Sequence, residues 1–148
     1  MDNWSACELI SPRLFIDFVL PYHGTVTEAA HKVGFRIILW NPGNILPVHD
    51  QQASALMDIF AFEQPKKGVE TSLEAVRGAF GKNRSLRGNI DSELLLMRND
   101  PDEINACVKE QIRQSGEGAP FIFFTGSPML SNIEIAAVDA MVDAVRRK

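Results

Sequence analysis

The side chains able to do chemistry gather in four short segments that interrupt apolar runs. They are Trp40-Asn41-Pro42-Gly43-Asn44, Glu63-Gln64-Pro65, Gly88-Asn89-Ile90-Asp91 and Thr125-Gly126-Ser127-Pro128. Each joins glycine or proline, which turns the chain, to groups that hydrogen-bond a ligand. Glu63 directly follows an apolar run and could act as a general base, or sit in a salt bridge. Asn44, Asn89 and Asp91 could hold a ligand or cap the following helix. Trp40 could wall a pocket or fill the core. Gly43, Gly88 and Gly126 read as turn residues that permit positive φ.

Other chemistries find no spacing that suits them. His23, His31 and His49 fall into no metal-binding pattern, and Cys7 and Cys107 are too few for a disulfide framework or a zinc motif. There is no HExxH, phosphate-cradling glycine loop or nucleophile elbow. A net charge of −4 opposes nucleic acid or an anionic membrane as partner. Reduced cysteines and a start without a basic, apolar leader predict a cytoplasmic chain, and no apolar run approaches a membrane span.

The elements that position the four segments alternate along the chain. Ser11 and Pro12 open a helix carrying Leu14, Phe15, Phe18 and Val19 on one face. Pro21 should interrupt it, after which it resumes through Val26, Ala29, Ala30 and Val33 and stops at Gly34. The run from Phe35 to Trp40 reads as a buried parallel strand. A short helix near Ile45 to Ala53 and a strand near Met57 to Phe62 follow. Gly68 leads to a helix with a Thr71/Glu74 capping box and a Leu73, Val76, Phe80 stripe, closed by Gly81. Ser85-Leu86-Arg87 is the third strand. Asp100 and Pro101 start a helix whose buried face is Ile104, Val108 and Ile112. Pro120 to Phe124 is the fourth strand. A second box, Ser131 and Glu134, opens the last helix, with Ile135, Val138, Val142 and Val145 packed inward.

This is a single α/β domain over residues 1–148: one helix, then four βα units with a parallel sheet. The pattern allows a small open doubly wound sheet or half of a closed barrel. A whole (β/α)₈ barrel needs about 250 residues, more than are present. In both architectures ligands bind beyond the carboxyl ends of the strands, where the four segments fall.

Those segments also carry a family resemblance. Ile10-Ser11-Pro12 through Phe18-Val19-Leu20-Pro21-Tyr22 resembles the "SP…F…F…PY" helix of the uroporphyrinogen decarboxylase and cobamide-dependent methyltransferase superfamily. Gly43-Asn44 resembles the end of its "His-x-Cys-Gly-Asn" strand, and Arg87-Gly88-Asn89-Ile90-Asp91 its "GNLD" or "GGID" segment. Phe121 to Ser127 with the helix from Ile133 to Val145 resembles its last strand, turn and helix. The resemblance implies the C-terminal half of a TIM (β/α)₈ barrel, starting at the loop after strand four, with Asp2 to Ser5 similar to that loop.

By that resemblance, members either decarboxylate uroporphyrinogen without a cofactor or transfer methyl groups between a corrinoid and a thiol using zinc. Trp40 and Pro42 stand where the methyltransferase pattern has His and Cys, and Ser127 where it has a later Cys. No metal is therefore expected here. The arginines and aspartate of the decarboxylase pattern belong to the other half. The expected pocket residues are Ser5, Trp40, Asn44, Glu63, Asn89, Asp91 and Ser127, around a carboxylated tetrapyrrole or similar small anion. No catalytic residue is assigned. Bare strand edges and inner faces predict a homo-oligomer or a complementary N-terminal half-barrel chain. A non-catalytic binding or scaffold protein is the alternative, and a corrinoid methyltransferase a more distant one.

Overall fold

A computed structural model describes residues 9–66 and 71–147 of the protein. Ser5, Cys7, Gly68 and the segment from Asp2 to Ser5 lie outside the described residues.

The first helix, α1 (Pro12–Phe18), is capped by Ser11, whose Oγ accepts the Leu14 N–H at 3.3 Å, with Pro12 in its first turn. It stops at Val19, and α2 (Leu20–Lys32) begins with Pro21 in its own first turn, so the expected interruption is present. Gly34, at φ 85°, closes α2. Then follow β1 (Ile38–Asn41), α3 (His49–Ser54), β2 (Ile59–Phe62), α4 (Leu73–Phe80), β3 (Ser85–Ile90), α5 (Pro101–Gln114), β4 (Phe121–Thr125) and α6 (Ile135–Arg146).

The four strands are parallel and lie in sequence order, β1-β2-β3-β4. A doubly wound sheet reverses its strand order at a switch point. None occurs here. Every crossover moves one strand in the same direction, as it does around a TIM barrel.

Two apolar clusters cover one face of the sheet. Leu39, Phe60, Phe62 and Leu86 pack with Leu73, Val76 and Phe80 of α4. Ile90 packs with Ile104 and Val108 of α5 and Ala137, Met141 and Ala144 of α6, and Phe123 lies against this second cluster. Each Val, Leu, Ile, Phe or Met side chain among them contributes about 1.5–3 kcal/mol when fully buried. The opposite face is bare. Ile38, Ile122 and Phe124 of that face are 45%, 43% and 42% exposed, which is the inner wall of a ring with half its strands.

Several local readings are corrected by the structure. Ser72, not Thr71, caps α4, its Oγ accepting the Ala75 N–H at 3.2 Å; Thr71 is buried and lends its carbonyl to another residue. Glu134, not Ser131, is the cap of α6, because the chain still turns between Ser131 and Ile133. Ile135 and Val142 of α6 are exposed, and its buried face is made by Ala137, Met141 and Ala144. Gly88 and Asn89 belong to β3 itself. On α1 and α2 the helical spacing is as expected, but Leu14, Phe18, Val26 and Val33 are exposed, and the buried residues are Phe15 and Thr27.

The amino ends of the strands are tightly tied. Arg77 of α4 is buried and donates to the carbonyls of Gly81, Arg84 and Pro120 at 2.9, 2.7 and 3.0 Å, binding the approaches to β3 and β4 together. Asp58, just before β2, accepts the Ile37 N–H at 2.8 Å, the His31 Nε2 at 2.8 Å and the Arg36 guanidinium at 2.7 Å. The Ile37 amide above all, then His31 and Arg36, hold its carboxyl well below the usual carboxylate range.

Candidate functional site

At the carboxyl ends of the strands a cleft of about 370 Å³ opens between Trp40, Arg87, Phe124 and the segment from Thr125 to Met129. A larger cavity, about 580 Å³, lies beside β4 between the end of α5 and Val145 of α6. That one is lined by the segment leading into β4, at the amino end of that strand and away from the carboxyl ends. The position rule for parallel α/β folds selects the smaller cleft.

Register builds the cleft. Trp40, Ala61, Arg87 and Ile122 form one row across the four strands, and Phe124 lies two residues further along β4 on the same face. Ala61 is too short to reach out of the row and is covered, while the longer Trp40 and Arg87 stand over the bare face. The Arg87 guanidinium sits on the Phe124 ring, its central carbon 3.7 Å from the ring centroid. Burial lowers the pKa of this guanidinium, though a guanidinium remains a cation.

The rim is knitted by hydrogen bonds between segments distant in sequence. The Trp40 indole N–H donates to the Gly126 carbonyl at 3.3 Å, joining the ends of β1 and β4 across the curved face. Ser127 Oγ donates to Gln64 Oε1 at 2.8 Å. The Gly126 N–H donates to the Ile90 carbonyl at 2.9 Å. A Cβ on Gly126 would lie 2.3 Å from the Gln64 backbone nitrogen, so glycine is required there for space. That differs from Gly43 and Gly88, which do adopt the expected positive φ, at 77° and 147°.

The expected pocket residues divide. Trp40 and Ser127 line the cleft. Glu63 instead accepts the Gly43 N–H at 2.9 Å and pairs with Lys66, so its carboxylate holds two loops. Asn44 Oδ1 accepts the Leu46 N–H at 3.2 Å. Asp91 Oδ1 accepts the Glu93 and Leu94 N–H groups at 2.8 and 2.7 Å, shaping the turn after β3. Asn89 is 1% exposed: its Nδ2 donates to the carbonyls of Glu63 and Thr71 at 2.8 and 2.7 Å, and Gln111 of α5 donates to its Oδ1 at 3.2 Å. It ties β3 to β2 and α5 and lies away from the cleft. Ser5 falls outside the described residues.

Arg87 and Phe124 are the cleft residues that sequence reading did not select. A signal existed: buried parallel strands read as apolar runs, and a charged residue inside one needs a reason. Among the described residues, no three His, Cys, Asp or Glu side chains gather as metal ligands, and no helix is long and apolar enough to cross a membrane. Cys107 is part-buried, and that burial, with Asp91 and Glu110 nearby, pushes its thiol pKa up, away from reactive thiolate chemistry.

Parallel strands in unbroken order, helices on one face and a cleft at the carboxyl ends define half of a TIM-barrel protein. A methyltransferase from Methanosarcina mazei has the same arrangement, with a TM-score of 0.81 at 21% identity over 99% of this chain and 40% of that one. At that identity the likeness establishes the fold. The family model described as uroporphyrinogen decarboxylase matches residues 1–148, and the chain belongs to that family. It is 35% identical over 77 residues to a uroporphyrinogen decarboxylase of Tolumonas auensis, a stretch covering 52% of this chain and 21% of that protein.

Proposed function

We propose that this chain forms one half of a decarboxylase-like pocket for a carboxylated tetrapyrrole or a similar small anion. Its ring is completed by four further strands, from a second copy or from a complementary half-barrel chain. The observation that carries this reading is the bare inner face, with Ile38, Ile122 and Phe124 exposed beside a cleft at the strand ends. Apolar inner-face residues of a barrel are normally packed in layers against the strands opposite. The exposed Leu14, Phe18, Val26 and Val33 on α1 and α2 add a second apolar surface suited to association.

Within the family, this reading favours carboxy-lyase chemistry over zinc-dependent methyl transfer. Trp40, Pro42 and Ser127 stand where the resemblance places zinc ligands. The Trp40 indole and the Ser127 hydroxyl are engaged with Gly126 and Gln64, so these residues do not fit zinc. A non-catalytic scaffold is the second reading. It is favoured by the use of Asn44, Glu63, Asn89 and Asp91 in internal hydrogen bonds.

Light scattering on the 16.4 kDa chain should give a mass of at least a dimer; a well-folded monomer would contradict association with itself. Carbon dioxide release from uroporphyrinogen should require a complementary half-barrel. No release with or without that half would favour the scaffold.

A further inference from the structure

Arg87 carries five side-chain N–H donors in a planar fork, and among the described residues its guanidinium makes no hydrogen bond and no ion pair. Its guanidinium lies over the Phe124 ring, 3.7 Å from the ring centroid. Stacking uses the faces of the guanidinium and leaves the N–H groups at its edges available. A half-buried cation without a counter-charge is costly, and the usual resolution is an anion within hydrogen-bonding reach. The cleft opens beside that edge, with the Trp40 ring two strands away in the same row. Adjacent strands are about 4.8 Å apart, so Trp40 and Arg87 are rooted roughly 10 Å from each other.

We propose that Arg87 is the carboxylate-recognition residue of this cleft. Its guanidinium, held flat on Phe124, takes a ligand carboxylate through two parallel hydrogen bonds. Trp40 offers a flat wall for the ring system bearing that carboxylate. The Gly126 turn fixes this geometry from the other side, because the Trp40 indole is anchored to its carbonyl. The inference rests on reading the cleft as a substrate pocket and adds the residues that would recognise its ligand, Arg87 for a carboxylate and Trp40 for the ring bearing it.

The test uses the full chain with Trp4→Phe, which leaves Trp40 as the fluorescent reporter of the two tryptophans present. Benzene-1,3,5-tricarboxylate is titrated against its neutral triamide and against inorganic phosphate, with folding of each variant checked by circular dichroism. The tricarboxylate should quench Trp40, and Arg87→Gln should weaken its binding about 10- to 100-fold, the range for charge-assisted hydrogen bonds. Arg87→Lys should recover part of the affinity, since it keeps the charge and loses the fork. The triamide should be indifferent to both changes.

Equal tricarboxylate binding by Arg87→Gln would overturn the role of Arg87 while leaving the cleft as a binding site. No response to any probe by the parent protein would overturn the pocket reading and this inference together. Phosphate binding as tight as the tricarboxylate would overturn the choice of carboxylate. If Arg87→Gln lowers the mass in light scattering and leaves probe affinity unchanged, Arg87 pairs with a covering chain and the inference fails.

Discussion

Arg77 of α4, against the amino ends of the strands, and Arg87, on the bare face of β3, are used in opposite ways. Arg77, at the amino ends, spends its donors on three backbone carbonyls and is sealed under the loops that it joins. Arg87, rooted in the middle of β3, rests on Phe124 and lines an open cleft. Nearby, Asp58 is likewise engaged at the amino end, accepting three hydrogen bonds. The contrast is that expected of barrel folds, in which one end is built for stability and the other for ligands.

Breaking the tied amino end should cost the most. Arg77→Met would strand three carbonyls and is expected to destabilise the chain by about 3 kcal/mol, read from the urea midpoint. Probe affinity of the molecules that remain folded should not change. A large loss of affinity would mean that the two ends are not separable.

Gly126→Ala comes next, at about 2 kcal/mol, because the new methyl group would push on the Gln64 backbone rather than on a mobile side-chain tip. This change should also disturb Trp40 fluorescence through the Gly126 carbonyl.

Asp58→Asn is smaller, about 1–2 kcal/mol near neutral pH. Its pH dependence has a definite sign. The folded carboxyl is held below its unfolded value, so its contribution is present above about pH 4 and fades as pH falls through the folded pKa. The parent and Asp58→Asn should therefore converge in urea midpoint in acid. A gap that widens as pH falls would refute this.

Smallest is Trp40→Phe, which removes one part-buried hydrogen bond and should cost about 1 kcal/mol or less.

The alternation of elements was legible in the sequence because strands and helices differ in apolar period, and because Ser11, Pro12, Asp100 and Gly81 are local signals acting within a turn. Periodicity could not choose between an open sheet and half a barrel; strand order is a property of the assembled sheet. The resemblance supplied that choice. At the candidate site, reading loop residues pointed to the carboxyl ends of the strands, and of the residues it selected, Trp40 and Ser127 line the cleft there. It also selected Glu63, Asn89 and Asp91, whose polar groups serve local backbone needs. Those partners sit up to 26 residues away and leave no mark in local spacing. Arg87 was passed over because it lies inside a strand, where its direction depends on the pairing of β3 with its neighbours.

Hydrogen exchange on the 148-residue chain, with and without benzene-1,3,5-tricarboxylate, tests the division of labour most directly. Amides in peptides covering residues 40–44 and 124–129 should exchange more slowly when the probe is present, while those around Asp58 and Arg77 stay unchanged. Slowing at the amino ends instead, or nowhere, would contradict the assignment of the carboxyl-end cleft as the place where this protein meets its ligand.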